Sequence, residues 1–168
     1  IADISDPYEP RRVSRWFQDG SQSTILGQDF HDGILYIAFG NSAEFVYTYP
    51  NSGVFAVDVS DTTNPTRVGF FDSRGRNKEI VTNGNQVFVM KEKPSVRAFE
   101  WIVSGLVPMS TIEGTFIIDD LKYNNGKLFI AHFFSGITIY DVSNIETPQL
   151  IIDQLGLTGL YPTISVDD

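Results

Sequence analysis

The side chains able to do acid–base or metal chemistry are few in kind. In 168 residues there are two histidines, twenty-one aspartates and glutamates, twelve lysines and arginines, and no cysteine. Without thiols there is no thiolate nucleophile, no disulfide and no Cys-based metal site. His31 lies beside Asp29 and Asp32, and His132 precedes Phe133 and Phe134. An imidazole next to a carboxylate is what general-base or metal chemistry needs. Two histidines about one hundred residues apart nevertheless show no ligand spacing, so both are expected to be structural. The pairs Asp119-Asp120 and Asp167-Asp168 fall in matching pre-turn regions, and turn chemistry suffices for them. Calcium would need more converging oxygens, and the EF-hand spacing is absent. The basic run Arg74-Gly75-Arg76-Asn77-Lys78 reads as a solvated loop, and Trp16 and Trp101 read as packing residues before sugar platforms. No catalytic residue, metal site or cofactor motif emerges, and none is expected.

Composition narrows the partners. Hydrophobic residues at 42% and charged residues at 20% describe a globular chain. A net charge of −9 repels phosphate backbones, so no nucleic-acid partner is expected. Apolar runs are only a few residues long, which predicts no transmembrane segment, since a helical span takes about twenty. The chain opens Ile-Ala-Asp-Ile with no Met and no signal region, as a processed or trimmed product would.

Repetition organises the chain. Asp3-Ile4-Ser5-Asp6 with Pro10, Asp58-Val59-Ser60-Asp61 with Pro65, and Asp141-Val142-Ser143-Asn144 with Pro148 share one spacing. Asp58 and Asp141 stand 83 positions apart, twice a period of about 41.5, which predicts a further copy near residue 100. Phe99-Glu100-Trp101-Ile102 with Val107-Pro108 occupies that place without the Asp and Ser. A second box runs in phase: a polar turn, then an apolar strand, at Asp32-Gly33 to Ala38, Gly84-Asn85 to Met90 and Asn125-Gly126 to Ala131. Repeat units fall at approximately 1–52, 53–94, 95–135 and 136–168, the last incomplete. The second predicts strands at Gly53 to Val59, Thr66 to Asp72, Glu79 to Asn83 and Gln86 to Lys91. The Asp and Ser of the box suit a strand end, where they bond nearby backbone N–H groups and the proline restarts an extended chain.

Four strands in about forty-two residues is the size of a β-propeller blade, which is stable only when neighbours stack on it. The expected fold is all-β, a propeller with about four four-stranded blades. By strand count it is part of a larger ring of six to eight blades. A β-sandwich also alternates strands and turns, but has no reason to repeat its boxes in phase.

The box and its preceding strand, as in Val54-Phe55-Ala56-Val57-Asp58-Val59-Ser60-Asp61 and Ile137-Thr138-Ile139-Tyr140-Asp141-Val142-Ser143-Asn144, resemble the LVIVD repeat family. The resemblance covers essentially the whole chain, and repeat three departs from it at Glu100-Trp101-Ile102-Val103. It implies a propeller at the cell surface or outside the cell, outer-membrane-associated in a bacterium, with a lipid anchor upstream of residue 1. The leading function is non-enzymatic binding or scaffolding of a protein partner, as an accessory subunit of an envelope complex. The alternatives are a hydrolase or lyase with its site at the channel mouth, and a carbohydrate-binding module. Partner contact is expected where the units differ, in the first repeat's insertion at residues 40–52, through Phe45, Tyr47 and Tyr49. The competing role for these three aromatics is to share one face of a hairpin and cover a neighbouring blade.

Overall fold

Strands such as Ile34–Gly40, Gly53–Asp58 and Gln86–Lys91 are near-continuous apolar runs. Side chains alternate between the two faces of a sheet, so such strands must be covered on both. The structure, a computed structural model, describes residues 1–16, 24–40, 52–73, 77–91, 93–102, 105–114, 116–155 and 164–165. These hold fourteen strands: β1 (Ala2–Asp3), β2 (Arg11–Arg12), β3 (Thr24–His31), β4 (Ile34–Gly40), β5 (Gly53–Asp58), β6 (Thr66–Asp72), β7 (Asn77–Asn83), β8 (Gln86–Lys91), β9 (Ser95–Ile102), β10 (Gly105–Glu113), β11 (Ile118–Asn124), β12 (Lys127–His132), β13 (Gly136–Asp141) and β14 (Gln149–Leu155). Among the described residues there is no helix, and no helix is long and apolar enough to cross a membrane.

The strands form three four-stranded antiparallel meanders in chain order, β3 to β6, β7 to β10 and β11 to β14, and a two-stranded sheet, β1 with β2. Register repeats with them: Leu35 pairs with Val57, Val87 with Phe99 and Leu128 with Tyr140. The sheets are out of phase with the sequence repeat by two strands. A unit such as 53–94 supplies the last two strands of the first sheet and the first two of the second, so each four-stranded sheet is shared by consecutive units.

Apolar layers fill the spaces between sheets. Tyr36, Ala38, Val54 and Ala56 of the first sheet meet Ile80, Val87, Val89 and Phe99 of the second. One position along the same strands, Phe88, Met90, Val96 and Ala98 meet Leu121, Leu128 and Ile130 of the third. On the opposite face of the first sheet, Ile37, Phe39, Phe55 and Val57 pack with Trp16. Each fully buried large side chain, Phe88 and Phe99 among them, contributes about 1.5–3 kcal/mol of apolar burial.

The Asp-x-Ser-Asp box is a pair of side-chain-closed turns. Asp58 Oδ1 accepts the Ser60 N–H at 2.8 Å, and Asp61 Oδ1 accepts that of Thr63 at 2.9 Å. The same two bonds recur from Asp3 to Ser5 and Asp6 to Tyr8, and from Asp141 to Ser143 and Asn144 to Glu146. The box also docks on the hairpin turn of its own sheet. The Val59 N–H reaches Gly33 O and the Val142 N–H reaches Gly126 O, both at 2.8 Å. A Cβ on Gly126 would lie 2.7 Å from Ser143 Oγ at a φ of +75°, so both the turn and the close approach require glycine there.

In the second sheet the box has collapsed. Glu100 holds the register position of Asp58 and takes a 2.7 Å bond from Asn85 Nδ2, and the Trp101 N–H bonds Asn85 O at 2.6 Å. The Trp101 ring lies over Gly69 and against Tyr36 at 6.3 Å. Pro108, expected at the box's proline position, instead sits within β10, opposite Phe99 at a bulge. Outermost strands accept proline because one edge of the strand has no ladder to complete.

A polar network closes the end where β6 turns into β7. Asn77, fully buried, donates from Nδ2 to Phe39 O and Gly53 O, both at 3.0 Å, while the Ser73 hydroxyl donates to its Oδ1. Lys91 Nζ adds bonds to Ser73 O at 2.8 Å and to Asn77 Oδ1 at 3.2 Å. Asn77→Ala would strand two buried carbonyls and is expected to cost about 2–4 kcal/mol in urea unfolding. Burial, with Arg97 adding and Asp72 opposing, pushes Lys91 down to about 8 from 10.5. The folded chain therefore binds fewer protons than the unfolded chain between those values, and stability rises with pH there. Tyr36, pushed up to about 12, acts oppositely only above pH 10. Unfolding midpoints should thus rise from pH 8 to pH 10 in the wild type and stay flat on that account in Lys91→Met.

Candidate functional site

The first strands of the three sheets, β3, β7 and β11, lie next to one another in series. Where the sheets meet there, carboxylates do the joining. Glu79 Oε2 accepts the Leu121 N–H of the third sheet at 3.2 Å. Asp120 Oδ2, at the register position of Glu79, accepts the Ile164 N–H at 2.7 Å. The corresponding residue of the first sheet is Gly27, where an added Cβ would lie 2.8 Å from Glu79 Cα. Backbones touch at that point, leaving no room for a side chain, and Asp29 two residues on takes over. Its Oδ2 accepts the Thr82 N–H at 2.6 Å and the Thr82 hydroxyl at 3.0 Å.

Lys122 completes the cluster, with Nζ 3.5 Å from Glu79 Oε1 and 3.4 Å from Asp120 Oδ1. Beside it the Tyr123 hydroxyl accepts from Asn83 Nδ2 at 2.7 Å and from the Gly126 N–H at 2.9 Å. Asp29, Glu79, Thr82, Lys122 and Tyr123 border a cleft of about 220 Å³. Burial, reinforced by Asp120 and opposed by Lys122, raises the Glu79 carboxyl above its ordinary range. Burial works against the Lys122 charge too, but Glu79 and Asp120 outweigh it and hold the ammonium above the usual lysine value. The two shifts point apart for a physical reason. One ammonium gains from two carboxylates, whereas each carboxylate also feels the other.

An acid–base pair of this kind has chemical potential, since a carboxyl raised by burial is what proton transfer uses. Here its atoms are committed to architecture. Both Glu79 oxygens are engaged, by Lys122 and the Leu121 N–H, and both Asp120 oxygens are engaged, by Lys122, its neighbouring Leu121 N–H and Ile164. The arrangement is a clasp between sheets.

The residues singled out from sequence do not converge. His31 sits at the first hairpin, its Nε2 3.3 Å from Asp32 Oδ2, while Asp29 turns away to Thr82. His132 lies in the third sheet, bonded through Nε2 to Thr138 Oγ1 at 2.9 Å, and burial lowers its pKa below the ordinary histidine value. Among the described residues no group of three histidines or carboxylates is placed to hold a metal. Asp120, expected to be turn chemistry, lies within β11 beside a bulge and accepts the N–H of Ile164, 44 residues on. Trp16 packs edge-on against Phe55 at 5.4 Å. Of the basic run, 74–76 lie outside the described residues, Asn77 is buried and Lys78 is half-buried. Phe45, Tyr47 and Tyr49 also lie outside them.

Sequence reasoning passed over Glu79 and Lys122. The signal was available: aligning the first strands by their turns brings Gly27, Glu79 and Asp120 into one column.

Together these features define an all-β protein of serial antiparallel sheets joined through their first strands. No family model matches the chain, and no curated protein matches it. Among solved structures it is similar to the computationally designed Ika4 protein, at a TM-score of 0.66 and 16% identity over 89% of this chain and 84% of that one. At that identity the likeness concerns the fold.

Since the folded state holds the Glu79 proton to higher pH than the unfolded chain, its contribution is fully present below about 4.5 and is lost as pH rises through its raised value. The stability of the wild type relative to Glu79→Gln should therefore improve between pH 7 and pH 4.5. Paired urea titrations at the two pH values measure the difference.

Proposed function

We propose that this chain is part of a β-propeller that binds a protein partner without catalysing a reaction, an accessory scaffold at the cell surface. The observation that carries the reading is the clasp: the first strands bear the carboxylates at which an enzymatic reading would look, and Asp29 and Glu79 are spent on holding sheets together while Asp120 is spent on Lys122 and the Ile164 N–H. The recurring four-stranded meander, its box and turn in phase, and apolar layers on both faces of the middle sheet support the propeller assignment. The surface location and the lipid anchor rest on the resemblance to LVIVD repeats.

The second reading is a propeller enzyme with its site among the first strands. It is favoured by one observation, the raised carboxyl of Glu79 beside Asp120 and Lys122 at the mouth of a cleft.

The partner surface is assigned to the β4–β5 connection, which carries Phe45, Tyr47 and Tyr49. Aromatic anchors of that kind dominate interface energies, so replacing all three with alanine should weaken retention of a native partner by at least about tenfold while leaving the unfolding midpoint in place. Pull-downs from the membrane fraction of the source cell, wild type against triple variant, make the comparison. Equal retention would overturn the surface, and absence of any partner would overturn the binding role. A hydrolase and lyase substrate panel is expected to show no turnover, and turnover abolished by Glu79→Gln would establish the second reading.

A further inference from the structure

Between the second and third sheets, away from the clasp, lies a cavity of about 210 Å³. Its buried wall sets His132 and Thr138 among Ile112, Ile118 and Ile130. His132, 5% exposed, presents a ring whose Nε2 meets Thr138 and whose Nδ1 has no partner within hydrogen-bond geometry, only the Phe116 carbonyl near enough to favour its proton. The Asp153 carboxylate lies within electrostatic reach of both that ring and the Tyr140 hydroxyl, and the exposed Glu113 also lines the cavity. Ile112 and Leu150 add apolar wall. Two carboxylates line the cavity, and no lysine or arginine does.

The surface around it is apolar. The β10–β11 connection exposes Phe116 at 40% and Ile117 at 57%, and the β12–β13 connection exposes Phe134 at 64%. A 2.9 Å bond from the Phe133 N–H to Ile117 O ties the two connections together. Phe134 holds a φ of +68°, a left-handed conformation that costs a bulky residue energy, and it keeps that ring in solvent stacked edge-on against Phe133 at 4.0 Å. Exposed aromatics clustered beside an anionic pocket suit a polypeptide carrying a cation better than a free amine, which would leave the rim uncovered.

We propose that this cavity receives an arginine side chain of a partner polypeptide, its guanidinium between Asp153 and Glu113 and its flanking apolar residues on Phe116, Ile117 and Phe134. Arginine fits better than lysine because its planar fork pairs with a carboxylate while its face lies on aromatic rings. This site is separate from the β4–β5 connection and stands or falls independently of it.

The test uses the whole 168-residue chain and three probes: the acetylated, amidated tripeptide Phe-Arg-Phe, its Phe-norleucine-Phe analogue, and n-butylguanidinium. Amide NMR titration should show saturable shifts in β12 to β14 with the arginine peptide. The norleucine analogue should bind at least about tenfold more weakly, the loss expected for a charge-assisted bond. Asp153→Asn, at an exposed position, should weaken the arginine peptide by about tenfold with the unfolding midpoint unchanged. Leu150→Trp, which fills the mouth, should abolish binding. Equal binding of the norleucine analogue, or an unaffected Asp153→Asn variant, would overturn the site. Binding of n-butylguanidinium as tight as that of the peptide would overturn the polypeptide partner, and no saturable shift with any probe would overturn both.

Discussion

Every other feature depends on one constraint: the middle strands are apolar on both faces. Val87 and Val89 point one way and Phe88 and Met90 the other, all nearly free of solvent. A sheet made of such strands loses half its burial if either neighbour is removed, so no single meander is an independent folding unit. Serial stacking follows from that, and the repeat in the sequence follows from serial stacking. The two-strand phase shift between repeat and sheet adds chain connectivity to apolar contact, because the units 53–94 and 95–135 each have strands in two four-stranded sheets.

Polar groups then decide how the stacked sheets align. Apolar layers are forgiving of small slides, whereas a carboxylate that must meet one N–H is not. The contacts from Asp29 to Thr82 and from Glu79 to Leu121 fix the first strands in register with one another. Close to Glu79 in the same strand, the buried Asn77 with Ser73 and Lys91 anchors the crossing from first to second sheet. The box turns close through local bonds, even though Val142 of one copy is also buried in the core. Asp58 and Asp141, both partly exposed, are held below the ordinary carboxylate range first by the backbone N–H groups of Ser60 and Ser143, two residues on. Such a turn closes on its own residues and looks the same in each copy.

That difference explains which residues could be read in advance. Thr66–Asp72 and Gln86–Lys91 coincide with the strands expected from their sequence, and Gly53–Asp58 falls one residue short. In each case β-branched and aromatic runs end at Gly, Asn, Asp or Pro, so local propensity and burial agree. Pro108 misled because proline carries the same local meaning at a strand start and on an edge strand, and only the neighbouring β9 distinguishes them. Glu79 and Lys122 were passed over because an isolated charge in a strand reads as solvent-facing until another sheet is laid beside it.

By itself the sequence determined the period, the box, the hairpin turns and the strands, all of which are set by residues within a few positions of one another. Tertiary structure alone decided which strands share a sheet, where Glu79, Asp120 and Lys122 meet, and that His132, Tyr140 and Asp153 border one cavity. Those contacts join residues on separate strands and, at the clasp, on separate sheets. They depend on the depth and angle at which apolar faces pack, which no spacing along the chain records.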